Sequence, residues 1–319
     1  MDGKYATETL AADDSGIARA ASILASGGLV AVPTETVYGL AARADDAAAV
    51  AHIYEAKGRP GFNPLIVHVR SRAEAEAFAT LPPGADVVMA QAWPGPLTLV
   101  CPLRVGAGLA PAVTAGLDTV ALRCPAHPVM RAVLDACELP LAAPSANRSG
   151  FVSPTSAAHV LATLDGRIDA VIDDGSACPG GIESTILAIR ADGAWDELRP
   201  GPVDLSGLRR FLRPESDAPV GRGDAGIEAP GQLASHYAPG KPVRLGARSA
   251  REGEFIIGFG EIAGDTTLSA TGDPVEAASR LYACLHLAAA SPKSRIAIAP
   301  VPDAGIGRAI NDRLRRAAA

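Results

Sequence analysis

Two basic residues, Lys57 and Arg59, are separated by one residue in the segment KGRPGFNPL, and Asn63 follows in the same turn. Glycine and proline stiffen such a turn. A rigid pair of cations suits a phosphate chain, because arginine offers a planar fork and lysine a point charge. A solvated surface pair is the alternative. The segment therefore predicts a phosphate-binding loop.

Polar side chains also follow the apolar run GGLVAV, where a strand ought to end. The segment PTETVYGL, residues 33–40, places Thr34, Glu35, Thr36 and Tyr38 there. Loops at strand ends usually carry sites, although the hydroxyls of this segment could equally satisfy a turn.

Two apolar runs contain polar residues of their own. His68 lies in LIVHVR, where a histidine is more often a hydrogen-bonded core residue than a ligand. Thr119 and Arg123 are four apart in DTVALRCP and so share one face of a strand. An arginine on a buried strand needs an anion nearby.

The segment APSANRSGFVSPT combines small residues with Ser145, Asn147 and Ser153. Small residues allow close approach of a ligand to the backbone, although Ser153 could instead cap the following helix. Ser184 in GGIESTIL and Arg199 in LRPG are weak signals alone. The order of all these segments along the chain is the stronger signal.

The spacing of apolar residues predicts the helices and strands that position these segments. Helices are predicted at 15–26, with Ser15 as the N-cap, at 45–57, with Gly58 as the C-cap, and at 127–137. Strand-like runs are LVAV, PLIVHV, PLTLVCPL, TVALRC, LPLAAPS, DAVIDD and STILAI. Because helices and strands do not strictly alternate, we expect an α/β fold with a twisted mixed sheet and helical cover.

Residues 213–242 are rich in proline, glycine and aspartate and lack an apolar period, so they are predicted to be a linker. The linker would join a first domain, 1–212, to a small Rossmann-like α/β domain, 243–319. In the small domain FIIGFG and RIAIAP are predicted strands. A Gly-x-Gly-x-x-Gly pattern at 221–226 follows no strand and opens no helix, so we interpret it as a chance match to the dinucleotide-binding motif.

Composition limits the function classes. With 29 basic and 35 acidic residues the net charge is -6, which argues against a broad nucleic-acid-binding surface. No apolar run is long enough to cross a membrane and no leader is evident, so we expect a cytoplasmic protein. The five cysteines are widely spaced, without a C-x-x-C pair, and are predicted to be reduced and mostly buried.

The ordered set PTETVYGL, KGRP followed by NPL, SAN, ESTI and LRPG resembles the YrdC-type domain of the L-threonylcarbamoyladenylate synthases. The phrases APGQLASHYAP, GDPVEAASRLY and GIGRAINDRLRRAA resemble the long, two-domain form of that family. The resemblance implies an enzyme that joins L-threonine, bicarbonate or carbon dioxide, and ATP into threonylcarbamoyl-AMP and releases pyrophosphate. A separate transferase complex would then modify tRNA, so direct tRNA contact is possible but not required.

The resemblance also implies the site residues. The threonine site would comprise Thr36, His68, Arg123, the backbone of Ala143, and Ser184. The ATP site would comprise Arg59, Asn63, Thr119, Ser145, Asn147, Ser153, Arg199 and, from the linker, Tyr237. Thr34 and Tyr38 would shape the wall, and Glu35 has no assigned role.

The implied chemistry suits these residue types. Arg123 would bind the threonine carboxylate, and a carbamate formed on the amine would attack the α-phosphate in line. Lys57 and Arg59 would be catalytic, stabilising the departing pyrophosphate with Arg199. No cluster of carboxylates suggests a metal cage, so Mg²⁺ would be bound through the phosphates rather than by protein side chains. Tyr237 would belong to a lid that excludes water.

Two other functions fit the residues less well. A carbamoyl-adenylate-forming hydrogenase maturation enzyme would share the fold, but such chains carry cysteine-rich zinc segments that this sequence lacks. An RNA-binding or ribosome-maturation factor with a local basic cleft is the alternative from another class. Pyrophosphate release that needs threonine, bicarbonate and ATP together would separate the synthase from both.

Overall fold

The computed structural model contains two β-sheets of different size. It describes residues 6–208, 210, 212, 227–232 and 236–319. Much of the predicted linker, including the glycine pattern at 221–226, lies outside the described residues. The fold agrees with the predicted class, a large mixed sheet followed by a small α/β unit.

The large sheet has ten strands in the order β1-β8-β2-β3-β7-β4-β6-β5-β9-β10. Their bounds are Glu8–Ala11, Val30–Val32, Gly39–Arg43, Ile66–His68, Leu97–Pro102, Thr119–Arg123, Leu141–Ala142, Ala170–Asp173, Thr185–Ile189 and Trp195–Arg199, numbered β1 to β10 in chain order. The pairs β4–β6 and β5–β9 are parallel, whereas β5–β6 and β9–β10 are antiparallel. All seven predicted strands are present, and the sheet is mixed.

Seven helices accompany the large sheet in the described part of the chain: α1 Asp14–Ala25, α2 Ala47–Lys57, α3 Arg72–Phe78, α4 Ala85–Ala92, α5 Pro111–Thr114, α6 Pro128–Cys137 and α7 Ala157–Leu164. The prediction of Ser15 as the first N-cap is wrong. The Asp13 side chain accepts from the backbone of Gly16, while Ser15 lies in the first turn and donates to Asp13. Gly58 ends α2 in the left-handed conformation, as predicted.

The small sheet is entirely parallel, in the order β11-β14-β12-β13. Its strands are Val243–Leu245, Glu254–Gly258, Thr266–Thr267 and Arg295–Ile298, numbered β11 to β14 in chain order. Two helices, α8 Pro274–Ala290 and α9 Gly307–Ala317, pack with it. Helix α8 connects β13 to β14, and the all-parallel sheet with its helices agrees with the predicted small α/β domain.

The two sheets belong to one packed body. A buried cluster joins Val37, Val152 and Ile182, which precede or follow strands of the large sheet, to Leu281 and Ile310 on the helices of the small unit. The five cysteines are free thiols, four of them buried, as expected. Within the described ranges, no helix is both long and apolar enough to cross a bilayer.

Candidate active site

A pocket of about 530 Å³, a volume that includes open solvent at its mouth, lies at the strand ends on one side of the large sheet. His68 and Arg123 are paired at the carboxyl ends of the adjacent parallel strands β4 and β6. Ser184 immediately precedes β9, and Arg199 ends the antiparallel strand β10. The strand directions therefore bring four residues that are distant in sequence to one site.

The pocket contains nine of the fourteen residues predicted as catalytic or substrate-binding. These are Thr36, Arg59, His68, Arg123, Ala143, Ser145, Ser184, Arg199 and Tyr237. Thr34 and Tyr38 also line it, at the positions expected for a wall. The other five predicted residues, Lys57, Asn63, Thr119, Asn147 and Ser153, are not among its lining residues.

The side chains of three of these five residues hydrogen-bond to residues that line the pocket. The buried Lys57 ammonium donates to the backbone carbonyls of Ser145 and Asn147. Ser153 donates to a carboxylate oxygen of Glu183 at 2.6 Å. Thr119 lies at the opposite end of β6 from Arg123, four residues away.

The loop between β2 and β3 is a compact turn built around one hydroxyl. Thr34 Oγ1 accepts from the amides of Thr36 and Val37, at 3.1 and 3.2 Å, and donates to the Val37 carbonyl at 2.6 Å. The turn and the site are therefore one structure, because Thr34 closes the turn and Thr36 is presented to the pocket.

Arg123 has an acidic partner that the sequence left without a role. Its guanidinium donates to Glu35 Oε1 at 2.5 Å and to Thr36 Oγ1 at 2.9 Å. The other carboxylate oxygen of Glu35 accepts from the amides of Ala126 and His127. Burial opposes ionisation of Glu35, but the charge of Arg123 outweighs it and lowers the pKa of the carboxyl.

Arg123 keeps the capacity to bind a further anion. A guanidinium has five N–H groups. Three serve Thr36, Glu35 and, at 3.4 Å, the Gly95 carbonyl. The remaining two belong to a side chain that is 4% exposed and lines the pocket. A carboxylate can accept both.

His68 is neutral in the folded protein. Burial, reinforced by the charge of Arg123, lowers its pKa to about 3. Its Nδ1 lies 3.3 Å from the carbonyl oxygen of Ile66. A carbonyl only accepts, so this contact favours the tautomer with the proton on Nδ1 and leaves Nε2 as an acceptor.

The buried histidines predict a loss of stability in mild acid. Burial lowers the pKa of both His68 and His236 to about 3, from an ordinary value of 6.5. Between those values the unfolded chain binds protons that the folded chain does not, so the free energy of unfolding falls as pH decreases below about 6.5. The limiting slope is about 1.4 kcal/mol per pH unit for each histidine.

Thermal unfolding at about pH 7 and at about pH 5 measures this effect. We expect a lower Tm at the lower pH, and a smaller difference in His68→Gln. Buried carboxylates do not cause it, because the lowered pKa values of Glu35 and Glu183 affect stability only below their ordinary value of 4.5. An unchanged Tm would contradict neutral burial of these rings.

Two buried arginines give the other side of the pocket its positive charge. Arg59 donates to the carbonyl and side-chain oxygens of Asn63 and to the Pro64 carbonyl, at 3.1, 2.7 and 2.7 Å. Arg199 donates to the Ser184 carbonyl at 3.1 Å, to Ser184 Oγ at 3.2 Å and to the Pro230 carbonyl at 3.3 Å. Burial lowers the pKa of Arg59 to about 10, so its charge persists at neutral pH.

The described parts of the linker cover this side of the pocket. Pro230, Gly231, His236 and Tyr237 line it, and Ala229 is fully buried against the sheet. The Tyr237 hydroxyl and His236 Nδ1 are buried and find no hydrogen-bond partner among the described residues. The wall thus contains two buried polar atoms that are unpaired within the described part of the chain.

Sequence reasoning missed Glu183, His236 and the linker residues Pro230 and Gly231 as parts of the pocket. Glu183 directly precedes Ser184, and His236 directly precedes Tyr237. Both lie in segments already singled out. Their adjacency was the signal that could have found them.

Comparisons with known proteins agree with this geometry. Residues 22–201 match the family model described as "Telomere recombination", and residues 203–319 match "Threonylcarbamoyl-AMP synthase, C-terminal domain". Threonylcarbamoyl-AMP synthases of Bacillus subtilis and Pyrococcus abyssi are 39% and 38% identical, over 98% and 93% of this chain and 95% and 92% of theirs.

Solved structures give the same result. The crystal structure of Pyrococcus abyssi Sua5 complexed with L-threonine superposes with a TM-score of 0.87 at 35% identity, covering 98% of each chain. Escherichia coli YciO, at 19% identity and a TM-score of 0.55 over 63% of this chain and 98% of its own, shares the fold. The chain belongs to the threonylcarbamoyl-AMP synthase family.

Proposed function

We propose that the pocket is where this chain carries out its reaction, the synthesis of threonylcarbamoyl-AMP from L-threonine and ATP in the first step of tRNA threonylcarbamoyladenosine modification. The third substrate would be bicarbonate or carbon dioxide, and pyrophosphate would be released. The observation that carries the proposal is a buried arginine, Arg123, with two unused N–H groups in a pocket that two further buried arginines, Arg59 and Arg199, also line.

Threonine would bind at the end of β6. Its carboxylate would accept the two unused N–H groups of Arg123, and the hydroxyl groups of Thr36 and Ser184 would contact its polar groups. His68 Nε2 is an acceptor for the amine or hydroxyl. The Ala143 amide already donates to the Ile66 carbonyl, so the carbonyl oxygen of Ala143 is the backbone atom left for the substrate amine.

ATP would bind toward the linker, with its phosphates between Arg59 and Arg199 and with Ser145 and Tyr237 at the wall. Mg²⁺ would arrive bound through the phosphates and share in neutralising their charge. Lys57, whose ammonium holds the Ser145 and Asn147 carbonyls, is better placed to shape this wall than to touch the phosphates. Asn63 would act similarly by fixing Arg59.

The reaction balances without a covalent enzyme intermediate. The threonine amine forms a C–N bond to the carbon of bicarbonate, with loss of one water, or to carbon dioxide, with loss of a proton, and so gives a carbamate. A carbamate oxygen then attacks the α-phosphorus. The bond from that phosphorus to the pyrophosphate oxygen breaks, and Arg59 and Arg199 stabilise the departing charge. Positioning of the carbamate supplies much of the remaining acceleration.

We further propose the roles of the chain segments. Residues 1–212 would form the catalytic domain, 213–242 the lid, and 243–319 a supporting domain. The product would pass to a tRNA threonylcarbamoyl transferase complex in the cytoplasm, and the chain would not need to hold tRNA. The curated relatives favour this function over a hydrogenase maturation enzyme, because they are synthases matched over nearly the full chain.

Pyrophosphate release tests this proposal when each substrate is omitted in turn. We expect release only with threonine, bicarbonate and ATP-Mg together. Release that does not depend on threonine would contradict the threonine site. RNA affinity without turnover would support the alternative of an RNA-binding factor.

Replacing Gly231 with alanine tests the linker's place on the pocket. Gly231 has φ 85°, and a Cβ there would lie 3.0 Å from both Arg199 Nη1 and the Tyr237 hydroxyl. We expect Gly231→Ala to displace the linker and to lower kcat/KM for ATP by about tenfold, in the range of other overpacking costs.

Gly240→Ala is the matched control for Gly231→Ala. Gly240 also has a positive φ, 75°, but a Cβ there meets nothing within 4 Å. The two variants share the backbone strain and differ in the contact. Equal losses of activity in both would show that strain, rather than contact with the pocket, causes the effect.

A further inference from the structure

A buried carboxylate joins the pocket to the small domain. Glu183 lines the pocket and accepts from Ser153 Oγ at 2.6 Å. The Tyr282 hydroxyl lies 2.8 and 3.0 Å from its two oxygens, and Arg313 Nε donates to it at 3.1 Å. Burial opposes ionisation, but the charge of Arg313 and these hydrogen bonds lower the pKa of Glu183 to about 2. The carboxylate is therefore ionised and fully engaged.

Arg313 reaches more than this carboxylate. It extends from α9, is completely buried, and donates to the backbone carbonyls of both Glu183 and Pro200. Its guanidinium carbon also lies 5.9 Å from the centre of the Tyr237 ring. One side chain of the small domain thus contacts two strand-end segments of the large sheet and approaches the linker.

Those two segments carry the residues assigned to the substrates. Glu183 precedes Ser184, and Pro200 follows Arg199. Ser184 and Arg199 are also joined directly, since Arg199 donates to the Ser184 carbonyl and to Ser184 Oγ. A shift of either held segment would move a residue that faces threonine or the phosphates.

The segment before β9, which contains Glu183, makes a close backbone contact with α8. Gly181 has φ 66°, and a Cβ there would lie 2.4 Å from the Ala278 carbonyl oxygen. This approach brings Glu183 within reach of Tyr282, one turn further along the helix. The segment is therefore placed by the helix of the small domain as well as by its own sheet.

The ionic cluster is not the only contact between the two domains in the described part of the chain. An apolar core already joins them, and burying charges costs free energy that apolar packing avoids. We propose that Arg313 and Tyr282 are positioning residues for the synthase reaction, which fix through Glu183 and Pro200 the segments that carry Ser184 and Arg199. The inference rests on the proposed function, and it gives the small domain a part in catalysis without contact to substrate.

Conservative variants of the full chain separate this role from general stability. Arg313→Lys keeps the charge but loses the fork that spans both segments, and Tyr282→Phe removes only the hydroxyl. Arg244→Lys is the control, because Arg244 of the same domain binds Glu254 through two nitrogens and also donates to the Ser249 carbonyl. Steady-state kinetics for threonine and for ATP would be measured with Tm.

We expect Arg313→Lys to raise KM for both threonine and ATP by about tenfold, as for loss of a hydrogen bond to a charged group. Tyr282→Phe removes only the hydrogen bonds of the hydroxyl to Glu183, which precedes Ser184. It should therefore raise KM for threonine, while KM for ATP stays within about twofold. Arg244→Lys should leave both KM values unchanged, whatever its effect on Tm.

The proposal is wrong if both variants keep wild-type KM values, or if Arg244→Lys changes them equally. If Arg313→Lys does not fold, Tyr282→Phe decides alone: an unchanged KM for threonine overturns the proposal. Failure of the proposed function is distinct, because wild-type protein would then release no threonine-dependent pyrophosphate.

Discussion

Arg123→Gln is expected to lower kcat/KM for L-threonine by about a hundredfold or more, about 2.7 kcal/mol of lost transition-state binding. Arg123 is buried at the end of β6 with two N–H groups left for a carboxylate. Glutamine retains polarity but loses the charge and the fork. KM for ATP should change by less than about threefold, because Arg59 and Arg199 remain.

The same variant leaves Glu35 without its cation, which costs stability as well as activity. The side chain of Glu35 is only 14% exposed. The double variant Glu35→Gln/Arg123→Gln removes the unpaired charge, so it should recover Tm without recovering activity. Arg19→Gln, which breaks an exposed ion pair with Glu8, is the control and should change neither. Recovery of activity in the double variant would contradict direct contact between Arg123 and threonine.

Tyr237→Ala is expected to lower kcat about a hundredfold and to shorten the lifetime of the adenylate in the reaction mixture. Tyr237 is 1% exposed, and its ring packs 5.7 Å from that of Tyr282. Truncation removes the largest buried side chain that holds the described linker on the pocket, so water can reach a labile mixed anhydride.

Comparison of Tyr237→Phe with Tyr237→Ala separates the contribution of the hydroxyl to activity from that of the ring. The hydroxyl is without a partner among the described residues, so its loss should lower kcat/KM by about tenfold at most, as for one hydrogen bond to substrate. Rates of pyrophosphate release and of adenylate decay would be followed together. If Tyr237→Ala changed neither rate, the lid would be excluded.

Much of the fold was predictable because the relevant signals are local. An aspartate cap and Gly58 define α2, and continuous apolar runs define β4, β5 and β6. Three strands of the large sheet, β1, β3 and β10, were not predicted. GLAAR is small and almost fully buried, and WDELR is mostly polar, so neither shows the alternation of a half-buried strand. These two segments form strands because of the strands that they pair with in the sheet, not because of a local sequence pattern.

Many of the residues that line the pocket could be singled out from the sequence, but the contacts that hold them could not. An arginine on a buried strand required an anion, but only the fold shows that Glu35 supplies it. The K-x-R spacing did not reveal that Lys57 turns inward to two carbonyls while Arg59 faces the pocket. The contact of Arg313 with Glu183 spans 130 positions, beyond any local pattern.

Isotope incorporation tests the central claim most directly. Purified protein would be incubated with labelled L-threonine, labelled bicarbonate and ATP-Mg, and the nucleotide products would be separated and identified by mass. We predict one adenylate that carries label from both threonine and bicarbonate, formed together with pyrophosphate. An adenylate without the bicarbonate label, or pyrophosphate release with no labelled nucleotide, would contradict the account.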